Sequence, residues 1–107
     1  MFFLGLCTCS VNDMLIKTVK SGREFKGHSE WDVTFTNRCS CPVKTIVLSC
    51  QGFRSAKPIS SSLLNVNGDR CLLYSGIQLK AGGSLSFSYA WDSAFHFTPL
   101  YILPMGC

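Results

Sequence analysis

The chain has 107 residues, 47% of them hydrophobic and 15% charged, with a formal net charge of +4. That length fits one domain, and so apolar a composition excludes an intrinsically disordered chain. The mild positive charge comes without a recognition helix or any nucleic-acid motif, so no nucleic acid is expected as a partner.

Residues 1–6, Met-Phe-Phe-Leu-Gly-Leu, are apolar and lack a charged flank. The run is shorter than the hydrophobic region of a complete signal peptide, about seven to fifteen residues. Residues 1–8 therefore read as the remnant of a signal peptide or a disordered N-terminus, with a buried N-terminal strand as the alternative. Residues 9–107 read as a single cysteine-rich domain. No apolar run approaches the roughly 20 residues of a membrane helix, so no membrane is expected either.

Residues 14–20 make a plausible first strand. Residues 21–29, with two glycines and several charges, read as a loop. Lys17, Lys20, Arg23 and Lys26 fall in and beside it, opposed only by Glu24. Residues 31–37 alternate strictly, with Trp31, Val33 and Phe35 on one side and Asp32, Thr34 and Thr36 on the other. Period two marks a half-buried strand. A break holding Cys39, Cys41 and Pro42 follows, then a β-branched run over residues 43–50. These read as two strands meeting at a cysteine-studded turn.

Residues 52–62 have no clear period, because Pro58 and three serines interrupt them. Leu63 to Val66, Asn67-Gly68 and Asp69 to Tyr74 predict a hairpin, since Asn-Gly accepts positive φ at both turn positions. Ile77 and Leu79 alternate up to a turn at Ala81-Gly82-Gly83. Residues 84–90 place Leu85, Phe87 and Tyr89 inward and serines outward. Residues 95–103 suggest a last strand interrupted by Pro99. The expected fold is all-β: a small, disulfide-stapled antiparallel β-sandwich of about six to eight short strands.

The chemistry of catalysis is missing from these motifs. No nucleophile elbow, P-loop or dinucleotide fingerprint occurs, and a hairpin turn accounts for Gly82-Gly83-Ser84. The two histidines, His28 and His96, read as a loop residue and a neighbour of the last strand. Asp13, Asp32 and Asp69 sit at turns or on a solvent parity. Glu30 and Asp92 could act as a glycosidase pair only if the fold joined them. Asn-x-Ser/Thr is absent. Catalytic residues, metal ligands and cofactors are expected to be none. The seven cysteines contain no Cys-x-x-Cys knuckle of a zinc site and point to disulfides in an oxidising, extracellular compartment.

Several stretches then resemble one family. Cys9-Ser10 with Asp13 and Ile16, then Gly27, Trp31, Val33, Asn37 and Cys39, match the opening half of a pattern. Cys50, Gly52, Phe53, Ser55 and Ala56 continue it. Cys71-Leu72, the run Leu85 to Ala90 and Cys107 complete it. Together they resemble the tapetum determinant-like family of small secreted cysteine-rich plant proteins. The resemblance implies a secreted, non-enzymatic ligand of a leucine-rich-repeat receptor kinase ectodomain. Its process would be plant reproductive cell-fate signalling, in anther development.

Cys9, Cys39, Cys41, Cys50, Cys71 and Cys107 are expected to form three disulfides, with Cys7 left over. Cys39 and Cys41 should take different partners, one of them Cys50, while Cys9 and Cys107 tie down the remaining ends. Phe53, Ser55 and Ala56 should serve the fold. Arg23, Arg54 and Lys57 are the expected receptor contacts of a monomer. The competing reading is a cell-wall carbohydrate-binding module, with Trp31, Trp91, Phe95 and Tyr101 as its platform. By its parity, Trp31 belongs to the core instead.

Overall fold

The alternation along two strongly patterned stretches builds the first sheet of the computed structural model, which describes residues 9–106. Strands β1 (Met14–Phe25), β2 (His28–Asn37) and β6 (Ser84–Ala90) pair antiparallel in the order β1-β2-β6. Val33 and Phe35 of β2, with Leu85, Phe87 and Tyr89 of β6, point inward and are buried. A second sheet holds β3 (Val43–Ser49), β4 (Leu64–Asn67), β5 (Arg70–Leu73) and β7 (Thr98–Pro104) in the order β4-β5-β3-β7. Val43, Ile46, Leu48, Leu64, Cys71, Leu73 and Ile102 face the first sheet and complete one core. Among the described residues the result is a sandwich of seven strands.

Four expectations require correction. Residues 31–37 and 43–50 are neighbours in sequence but belong to opposite sheets. The corner at residues 38–42 carries the chain across the sandwich, and each strand then presents its apolar parity to the shared core. Consequently Cys50 does not pair with Cys39 or Cys41. β3 lies beside β5, and Cys50 bonds to Cys71 with Cα atoms 5.9 Å apart. Cys9 bonds to Cys39 at a Cα separation of 5.4 Å. Cys41 is also disulfide-bonded; Cys7 and Cys107 lie outside the described residues, as does the segment 1–8.

The expected loop at 21–29 is instead a two-stranded ribbon. β1 continues to Phe25 and β2 starts at His28, joined by Lys26 and Gly27 with φ of 51° and 82°. Two positive φ angles give the turn that best matches strand twist. The pairing shifts between Lys20 and Glu24, where Gly22 has φ 89°. A ribbon beyond the core has no buried face, so its sequence carries no period-two signal.

The hairpin of β4 and β5 forms one residue later than Asn-Gly implies. Asn67 pairs with Arg70, leaving Gly68 and Asp69 as the turn. Only Gly68, with φ 65°, is left-handed there. A leading glycine satisfies that turn. Pro99 is accommodated because β7 is an edge strand, which tolerates a missing donor.

Asn37 anchors the corner. It is wholly buried. Its Nδ2 donates to the carbonyls of Cys41, Leu79 and Lys80 at 3.0, 3.1 and 3.1 Å, and its Oδ1 accepts from the Cys39 amide at 2.9 Å. One amide thus fixes the crossover and the 79–83 turn together.

Candidate functional site

Glu30 follows the outward parity of β2, where serines and threonines dominate. Thr34 and Thr36 bond across to Ser86 and Ser84 at 3.3 and 2.8 Å. Within this hydroxyl face Glu30 is the buried charge, with 6% of its side chain exposed. Its Oε1 accepts from Ser21 Oγ at 2.7 Å and from Arg23 Nε at 2.6 Å, both on β1. Its Oε2 accepts from Lys57 Nζ at 2.6 Å, and that ammonium also donates to Ser88 on β6 at 2.7 Å.

Lys57 arrives from the β3–β4 connection, residues 50–63, which crosses from the second sheet to the first. Gly52, at φ 79°, makes the exit from β3 possible. Phe53 then anchors the segment by packing on Tyr89, Phe95 and Phe97, with ring centroids 5.1–5.2 Å apart. The Ala56 amide donates to Ala90 O at 2.8 Å and the Ala90 amide to Ser55 Oγ at 3.1 Å. The segment is a strap along the far edge of β6, and Lys57 locks it to the sheet face.

The electrostatics follow from this geometry. Lys57 first, then Ser21 and Arg23, hold the Glu30 carboxyl down to about 2 against the opposing effect of burial. It is ionised at neutral pH and offers no proton, so it cannot act as a general acid. Arg23 retains 68% side-chain exposure against 31% for Lys57, which makes Lys57 the structural partner and Arg23 the outer one. Asp92, the other half of the imagined glycosidase pair, is engaged elsewhere. Its Oδ1 lies 2.7 Å from His28 Nδ1, and the His28 ring stacks on Trp91 at 5.0 Å.

Arg23 and Lys57 therefore meet on one carboxylate that the sequence reading did not connect with them. Arg54 is not part of this cluster. It is exposed and makes no side-chain hydrogen bond or ion pair among the described residues. The available signal was Glu30's place on an outward parity flanked by hydroxyls, but its partners are 7 and 27 residues away in sequence.

The glycan platform does not assemble. Trp31, Trp91 and Phe95 pack half-buried against the core. Trp31 Nε1 donates to Trp91 O at 3.1 Å, and Lys20 Nζ lies 5.6 Å from the Trp31 ring centre. Only Tyr101 of the four is openly exposed, at 49%. Among the described residues, no three His, Cys, Asp or Glu side chains gather as a metal site requires.

Neither a curated protein nor a solved structure matches the chain. Residues 10–104 match the family described as tapetum determinant 1, C-terminal. The match spans the first 3-10 turn at Val11–Asp13, every strand and the strap. By that match the chain belongs to the tapetum determinant 1 family.

Proposed function

We propose that this protein is a secreted, non-enzymatic ligand that binds the ectodomain of a leucine-rich-repeat receptor kinase in plant reproductive cell-fate signalling. Family membership is consistent with a signalling protein of plant reproductive development. A small domain rich in disulfides is consistent with an extracellular one. The observation that carries the reading is the locked strap. It holds Arg54 in solvent on the same segment as Lys57, and the Arg23–Glu30–Lys57 cluster keeps a net positive charge. A rigid scaffold presenting an exposed arginine on a connection is a common recognition device, and an acidic patch on the receptor is its natural complement.

The test is binding of the oxidised domain to receptor ectodomains, with a glycan array in parallel. Arg54→Glu should weaken receptor binding by about tenfold or more, with a reduced salt dependence. Arg23→Glu should weaken it less, since that guanidinium already serves Glu30. Unchanged affinity in the Arg54 variant removes the arginine from the interface. Binding to glycans alone overturns the ligand reading.

A further inference from the structure

Among the described residues no strand pairs with the outer edge of β1, and the backbone groups along it have a definite direction. The Arg38 amide donates to Asp13 O at 3.1 Å, whereas the Asn37 amide donates to Gly83 O on the other side, at 2.9 Å. Even-numbered residues of β2 therefore turn their backbone groups to β1, and odd-numbered ones to β6. The register sets Thr36, Thr34 and Asp32 opposite Leu15, Lys17 and Val19. Those three β1 residues are consumed by β2. Ile16, Thr18 and Lys20 point their N–H and C=O groups outward, where no partner meets them among the described residues.

The side chains at these positions matter as much as the backbone. Ile16 and Thr18 share the core-facing parity of β1. They border an open groove of about 460 Å³ between the edges of the two sheets, closed on the other side by Phe95, Phe97 and Pro99. On the outer face Leu15 and Val19 remain 45% and 46% exposed, with Lys17 between them. The comparable edge of β6 is covered by the strap at Ala90; among the described residues nothing covers the edge of β1 in this way.

We propose that the β1 edge is a β-augmentation site for an extended segment of another protein that alternates apolar and acidic side chains. The added strand would bond to Ile16, Thr18 and Lys20. Its apolar side chains would enter the groove beside Phe95 and Phe97. Its acidic ones would stand on the outer face near Lys17. Strand addition of this kind takes affinity from the main chain and specificity from alternate side chains. Charge selects the occupant. β1 carries Lys17, Lys20 and Arg23 against Glu24 alone, so a second copy of this basic chain is repelled while an acidic strand is attracted. The inference stands apart from the strap reading, which uses a different edge of the sheet.

The test uses the oxidised protein, isotope-labelled, with a short synthetic peptide alternating valine and glutamate and a counterpart alternating valine and lysine. The glutamate peptide should slow hydrogen exchange at the amides of Ile16, Thr18 and Lys20, with affinity that falls as salt is added. Thr18→Pro removes an outward amide without touching a β1–β2 bond, and should weaken binding about tenfold, the equivalent of one lost hydrogen bond. Lys17→Glu, an exposed change, should reverse the preference between the two peptides. Three results would overturn the proposal: equal binding of both peptides, protection of any other strand edge, or sedimentation showing that the protein dimerises through β1. Failure here leaves Arg54-dependent receptor binding untouched, so the two readings fail separately.

Discussion

Replacing Asn37 by aspartate keeps the shape of the side chain and reverses its hydrogen-bonding sense. In the native protein its amide hydrogens serve three carbonyl oxygens at 3.0–3.1 Å. A carboxylate would set negative oxygen against those acceptors in a site with no solvent exposure. To fold at neutral pH the introduced carboxyl must stay protonated. Doing so at pH 7, from an ordinary value of about 3.9, costs about 4 kcal/mol. A protonated carboxyl has one donor, but Leu79 O and Lys80 O keep the Val43 and Gly83 amides as donors at 2.9 Å, so the cost is mainly that of holding the proton. The expected loss is about 4 kcal/mol, against a total stability for such a domain of about 5–15 kcal/mol. Denaturant unfolding with the disulfides intact measures it. The sign with pH is definite: a group protonated in the folded state loses least below its unfolded value. The deficit should therefore shrink as pH falls towards about 4. Asn37→Ser lacks the ionisable group, so its smaller deficit should not vary with pH. A loss under about 1 kcal/mol for Asn37→Asp at pH 7, or a pH-independent one, would refute the role of Asn37 as the corner's anchor.

Other consequences are equally measurable. Glu30 titrates near 2 when folded and near 4.5 otherwise, so its stabilisation is present above 4.5 and lost as pH falls towards 2. Glu30→Gln should flatten that acid limb in a pH series of melting curves, and an unchanged limb would mean that the Lys57 contact contributes nothing. Phe53→Ala should cost about 3 kcal/mol, the lower end for an aromatic truncation because the ring is only partly buried; unchanged melting would detach the strap from the core. The Cys50–Cys71 bond closes a separation of 21 residues, so replacing both by serine should remove about 3 kcal/mol, read as a lower denaturant midpoint. Thr45 is β-branched and left-handed at φ 55°, so Thr45→Asn should raise stability by about 1 kcal/mol in the same assay.

What the amino-acid order decided by itself was local. Period two along Val33 and Phe35, and along Leu85, Phe87 and Tyr89, marks strands and their buried faces whatever the strands pair with, because side chains alternate by covalent geometry. The hairpin around Gly68 and the all-β class follow in the same way. The tertiary structure alone decided which strands are neighbours. Residues 31–37 and 43–50 could have paired through their short connection, yet core formation sends them to opposite sheets. That choice gives Cys50 to Cys71, brings Lys57 to Glu30 and, among the described residues, leaves the outer edge of β1 without a paired strand. The 21–29 ribbon carries no sequence signature for a related reason: with neither face buried, nothing in its sequence had to alternate. Sheet membership depends on the free energy of the whole core, to which every strand contributes at once, and no window of neighbouring residues contains that sum.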